Sequence, residues 1–188
     1  MKTGKLIGTI YKNTNVGVYG KVNNLSAIDL DLSKEMKVAK RNEIILGKAK
    51  IICNLDDEKN KEYEIEIEKI FINNDEDNKS MLIKVKDKEL LDKTGGIIQG
   101  MSGSPIVQNG KFVGAVTNVL VNDPTRGYAV FGDIMLKEMH VNGDGEFWHY
   151  YFDNNKKINK KTDFTNGICF LDVYNLPAMP VVTMALAL

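Results

Sequence analysis

Ser102 stands in the run Gly100-Met101-Ser102-Gly103-Ser104-Pro105, inside "GGIIQGMSGSPIVQNGKFVGAV" at 95–116. A serine hydroxyl is a weak nucleophile, so a catalytic one needs a base within hydrogen-bond reach and donors for the oxyanion that develops. Glycines on both sides allow unusual φ/ψ values and let backbone N–H groups approach an anion closely. The loop of Gly100, Met101 and Gly103 around Ser102 is therefore a candidate oxyanion loop, with Pro105 limiting its exit. The competing reading is a plain glycine-rich turn, because six-residue matches are common by chance.

The elements that must hold this loop read mostly as strands. Asn109-Gly110 separates "SPIVQ" from "KFVGAVTNVLV", and an Asn-Gly pair adopts the positive φ angles of a type I′ hairpin turn. Ser102 thus precedes a hairpin rather than a helix. That context, and Ser104 where G-x-S-x-G needs glycine, argue against the strand-to-helix elbow of α/β-hydrolases. In "KEYEIEIEKIFI" (61–72), Tyr63, Ile65 and Ile67 alternate with Glu62, Glu64, Glu66 and Glu68, the pattern of a half-buried strand. Further short apolar or alternating runs lie at 5–11, 16–22, 44–55, 80–86, 104–108, 111–121 and 127–132. Such closely spaced strands predict a sandwich or barrel. Helices are expected only at 87–93, with Asp87 as N-cap, and at 133–139.

With 188 residues, 43% hydrophobic and 27% charged, the chain has the composition of a globular protein. Its 25 basic and 25 acidic residues balance, giving no reason to expect a nucleic-acid partner. Cys53 and Cys169 are far apart, without C-x-x-C or a nearby His, so no metal site or disulfide framework is indicated, and buried free thiols are expected. Nothing calls for a cofactor. From His140 the sequence turns polar and aromatic, then closes on an apolar stretch. Residues 140–188 are taken as an extension of unknown role.

The stretch "KVKDKELLDKTGGIIQGMSGSPIVQNGKFVGAVTNVLVNDPTRGYAVFGDIML" (84–136) closely resembles the peptidase domain of the SpoIVB (stage IV sporulation protein B) serine peptidases, and "GKLIGTIYKNTNVGVYGKV" (4–22) resembles its start. The resemblance covers residues 4–139. It implies a mainly β, trypsin-like double β-barrel, two small β-subdomains with the site between them. It also implies a serine endopeptidase that cuts a regulatory, membrane-associated protein during sporulation, and possibly itself. The family's anchor and PDZ domain are not expected within this stretch, which reads as an excised domain or a shortened relative. The N-terminus lacks a signal-peptide stretch and no run reaches membrane-span length. The chain as given is expected in the cytoplasm, or, as a fragment of an anchored member, between mother cell and forespore.

Carried over residue by residue, the resemblance puts the nucleophile at Ser102 and the acidic member of the triad at Asp87, where it would orient the base. Asp87 is equally suited to cap a helix. The family's G-H-V becomes Gly20-Lys21-Val22, and Asn118 stands where relatives commonly show histidine. Lys21 could act as base only with a strongly depressed pKa; as an ordinary lysine it is a solvated cation at a strand end. His140 and His149 are alternatives in the least family-like region. Two functions follow: a serine endopeptidase using Ser102, Asp87 and Lys21, or a pseudopeptidase that binds a peptide or protein without cutting it.

Overall fold

The computed structural model describes residues 8–22, 36–55, 60–73, 78–139, 168–170 and 184–187. The strands are β1 (Gly8–Thr14), β2 (Gly17–Val22), β3 (Lys37–Val38), β4 (Gly47–Cys53), β5 (Lys61–Ile70), β6 (Met81–Val85), β7 (Pro105–Gln108), β8 (Lys111–Leu120), β9 (Asp123–Phe131), β10 (Ile168–Phe170) and β11 (Met184–Ala187). Two short α-helices, α1 (Lys88–Thr94) and α2 (Gly132–Met139), and one 3-10 turn, Arg41–Glu43, complete the described elements. Each strand run predicted above has a counterpart, and both expected helices form within a residue of their predicted bounds.

Strands β4, β5, β6, β9, β8 and β7 pair in that circular order, every neighbour antiparallel, and β8–β9 pairing closes the barrel. Closure satisfies backbone groups that an open sheet would leave at its edges. The mainly β, barrel-based architecture is thus as expected. A second sheet runs β1-β2-β11-β10, so strands from both ends of the chain meet in it, β11 lying parallel to β2.

The period-2 pattern of β5 explains its place. Tyr63, Ile65 and Ile67 point into the core at 2% exposure or less. On the outer face, Lys50 pairs with Glu62 at 2.6 Å and Lys48 with Glu64 at 3.3 Å, across the β4–β5 register. Ala49, Ile51 and Cys53 of β4, and Met81, Ile83 and Val85 of β6, fill the same interior. Cys53 is buried, as expected, and the Cys169 side chain lies outside the described residues.

β8 departs from alternation, since Phe112, Val113, Ala115, Val116 and Thr117 are all buried. One face looks into the barrel and the other lies under α2, whose first residue, Gly132, packs against the Phe112 ring. A strand covered on both faces reads as a continuous apolar run. Val16 and Tyr19, from β1–β2, join this core, and Lys12 of β1 reaches Glu138 of α2 at 2.5 Å.

The β7–β8 turn has positive φ at both Asn109 (52°) and Gly110 (72°), as a type I′ turn requires. Bulges bend the barrel wall: Val113 is extra on β8 opposite β7, Thr117 is extra on β8 opposite β9, and Glu68 is extra on β5 opposite β6. Such insertions add the local twist that closure needs.

The tightest approach in the barrel lies at Gly114, where an added Cβ would sit 1.9 Å from the Val130 carbonyl oxygen. Backbone cannot yield there without parting β8 from β9. Gly114→Ala is therefore expected to destabilise the domain by about 3 kcal/mol or more. Urea unfolding of the two chains checks it; an unchanged midpoint contradicts the close approach.

Candidate active site

The serine loop runs from the end of α1 to β7. Asp87 starts α1: its Oδ1 accepts from the Leu90 amide at 3.1 Å and its Oδ2 from the Glu64 amide at 3.2 Å. One carboxylate thereby caps the helix and ties it to β5. Gly95 ends α1 in the left-handed region (φ 72°), donating to Leu91 O, as a helix C-terminus commonly does.

Beyond it the loop is pinned at three places. Ile97 N–H donates to Pro124 O at 2.7 Å, and a Cβ on Gly96 would fall 2.2 Å from that same oxygen, so only glycine lets the loop lie this close to β9. Met101 is a buried plug at 1% exposure, and its amide donates to Ile98 O at 3.1 Å. The third pin is a short ladder onto β8: Gly103 N–H to Val116 O at 2.7 Å, and Val116 N–H to Ser104 O at 3.0 Å. Gly100 and Gly103 hold φ values of 100° and 93°, a region that disfavours a side chain.

These bonds decide which amides remain. Met101, Gly103 and Ser104 N–H groups are committed to the carbonyls of Ile98, Val116 and Met101. Among the described residues no group accepts from Gly100 or Ser102 N–H. Of the loop expected to receive the oxyanion, the Met101 and Gly103 amides are anchors, while the Gly100 and Ser102 amides stay uncommitted among the described residues. A pair at the serine and two residues before it is the spacing that trypsin-like enzymes use for the oxyanion.

Ser102 is partly buried and its hydroxyl donates to Thr117 O at 2.7 Å. An amide carbonyl can accept a hydrogen bond but cannot take the proton at neutral pH, so this partner is no general base. Asp87 and Ser102 have different partners in this arrangement. Lys21 lies in β2, paired in register with Thr9 of β1 and Ala187 of β11; its side chain, like His140 and His149, lies outside the described residues. Asn118 follows Thr117 and is exposed. Thr117 itself escaped the sequence reading, because a backbone acceptor has no side-chain signature.

The start of β9, where Pro124 receives the loop, is braced by charge. Asp123 Oδ1 accepts from the Thr125 hydroxyl at 2.5 Å and amide at 3.2 Å, and its Oδ2 pairs with Arg126. Arg126 Nε also meets Glu68 at 2.7 Å; the bulge takes Glu68 out of the ladder. Hydrogen bonding to Arg126 holds Glu68 below its ordinary carboxylate value, and hydrogen bonds from Thr125 and then Arg126 do the same for Asp123. A depressed folded-state pKa lends stability above the unfolded value and loses it as pH falls through the folded one. Thermal stability should therefore drop as pH falls below the ordinary values of 4.5 and 3.8, and less steeply in Arg126→Met. Melting curves between about pH 6 and pH 3 test this; identical pH profiles for the two chains contradict it.

No curated protein matches the chain. The family model described as SpoIVB peptidase S55 matches residues 1–136 of the 188, from before β1 into α2. The match takes in the closed barrel and the Ser102 loop, and on it the chain belongs to the SpoIVB peptidase S55 family.

Proposed function

We propose that this domain receives an extended polypeptide, presents one of its carbonyls to the amides of Gly100 and Ser102, and attacks it with Ser102 as a serine endopeptidase. The observation that carries the reading is the pair of uncommitted donors flanking a partly buried serine hydroxyl. Membership of a peptidase family supports a protein substrate; a membrane-associated regulatory protein as that substrate belongs to the same proposal. In the first step Ser102 Oγ bonds to the carbonyl carbon, the C=O electron pair moves onto oxygen, and the two amides hold the resulting charge. The Oγ proton goes to a base and then to the departing amine.

Lys21, at the family's histidine position, supplies that base only in its neutral form, a minor species for an ordinary lysine at neutral pH. Asp87 would orient the base; its carboxylate already accepts two amides, and two oxygens leave room for a further donor. The domain is accordingly read as a slow enzyme. The second reading, a pseudopeptidase that holds its polypeptide uncut, is favoured by one observation: the Ser102 proton rests on a carbonyl. Without a base, oxyanion donors and binding alone leave about a thousand- to ten-thousandfold acceleration over water.

Reaction with a fluorophosphonate separates these readings. The unmodified chain should label slowly at a site lost in Ser102→Ala, and Lys21→His should label about a hundredfold faster or more. Labelling only in Lys21→His favours the pseudopeptidase. Labelling that survives Ser102→Ala, or that fails even in Lys21→His, removes Ser102 from the nucleophile's role.

A further inference from the structure

We infer that Thr117 is a positioning residue for Ser102, holding the serine and its loop in place through a β-bulge and a buried hydroxyl anchor. This rests on the reading of Ser102 as the nucleophile. Along β8, Val116 opposes Ala129 and Asn118 opposes Tyr128, so Thr117 is the extra residue between two ladder positions. A bulged residue leaves its backbone groups out of the ladder. The Thr117 carbonyl is thus available to Ser102 Oγ, 2.7 Å away.

The side chain fixes that geometry from the other end. Thr117 is 6% exposed, and its Oγ1 donates to Asn78 O at 2.7 Å, tying the bulge to the segment that enters β6. A hydroxyl buried in the apolar run "VGAVTNVL" is a poor choice for packing alone, because valine has nearly the same shape and needs no partner. The hydroxyl gains its purpose from what adjoins it. One residue before Thr117, Val116 carries both bonds of the ladder that docks Gly103 and Ser104. Movement of the bulge is therefore transmitted to Ser102 Oγ and to the amides of Gly100 and Ser102 together. Thr117 touches no reacting atom of the substrate; it acts through Ser102.

The test compares the native chain with Thr117→Val and Thr117→Ser, each also in the Lys21→His background, at temperatures below each chain's melting midpoint. Fluorophosphonate reaction is followed over a range of concentrations to separate the maximal rate from half-saturation. Amide hydrogen exchange at Gly103 and Val116 is measured alongside. Thr117→Val should lower the maximal rate about tenfold, because oxyanion donors act on the transition state, while half-saturation stays within about twofold. Gly103 should exchange about tenfold faster in Thr117→Val. Thr117→Ser, which keeps the anchor, should restore both to within about threefold.

An undiminished maximal rate in Thr117→Val, or an equal fall in Thr117→Ser, overturns the inference. If no chain reacts with the probe, the nucleophile reading fails and exchange decides the positioning claim. Faster Gly103 exchange in Thr117→Val, restored by serine, then upholds loop positioning, and unchanged protection sinks it.

Discussion

The site depends on how the loop before β7 docks onto β8. Two backbone bonds at Val116 and one from the Ser102 hydroxyl to Thr117 fix a segment whose glycines would otherwise leave it many conformations. The barrel makes that docking possible. Its closed circle of six antiparallel strands leaves few unpaired backbone groups, and the bulge at Thr117 exposes a carbonyl on the serine side. The two amides of the proposed donor pair, Gly100 and Ser102, are found by subtraction: those of Met101, Gly103 and Ser104 are spent on holding the loop.

Charge plays a supporting part. The bulge at Glu68 and the arginine at position 126 brace the start of β9, and Pro124 in that strand takes up Ile97. Partly exposed ion pairs contribute little individually, so their value here lies in holding a turn against which Gly96 packs. At the other end of the loop Asp87 performs a comparable task, closing α1 and fastening it to β5. The same carboxylate stands where the family resemblance puts the acidic member of the triad. Capping and orienting a base are compatible demands on two oxygens, and the first is satisfied whether or not the domain turns over.

Much of the scaffold was legible because local chemistry determined it. The glutamates of β5 alternate with residues that must be buried, Asn109-Gly110 encodes its own turn, and Asp87 precedes a helix that it caps. Ser102 stood out for the glycines around it. What could not be read were relations between distant segments: that Met101 is a plug, that Gly96 is glycine because Pro124 O is there, and that Thr117 supplies a carbonyl. Which amides stay free depends on acceptors contributed by Ile98 and Val116, and periodicity carries no such information. Family resemblance puts the expected base at position 21, and with a lysine there proton removal is the slow point of the proposed chemistry.

The central claim is that Gly100 and Ser102, and not Gly103, present their amides to a substrate carbonyl. Amide NMR of the ¹⁵N-labelled chain, titrated with a peptide aldehyde that can place an oxyanion beside Ser102, tests it directly. The account predicts large downfield shifts of the Gly100 and Ser102 amide protons together, with the Gly103 amide, bound to Val116 O, little changed. Movement of Gly103 with Gly100 and Ser102 both still would contradict it.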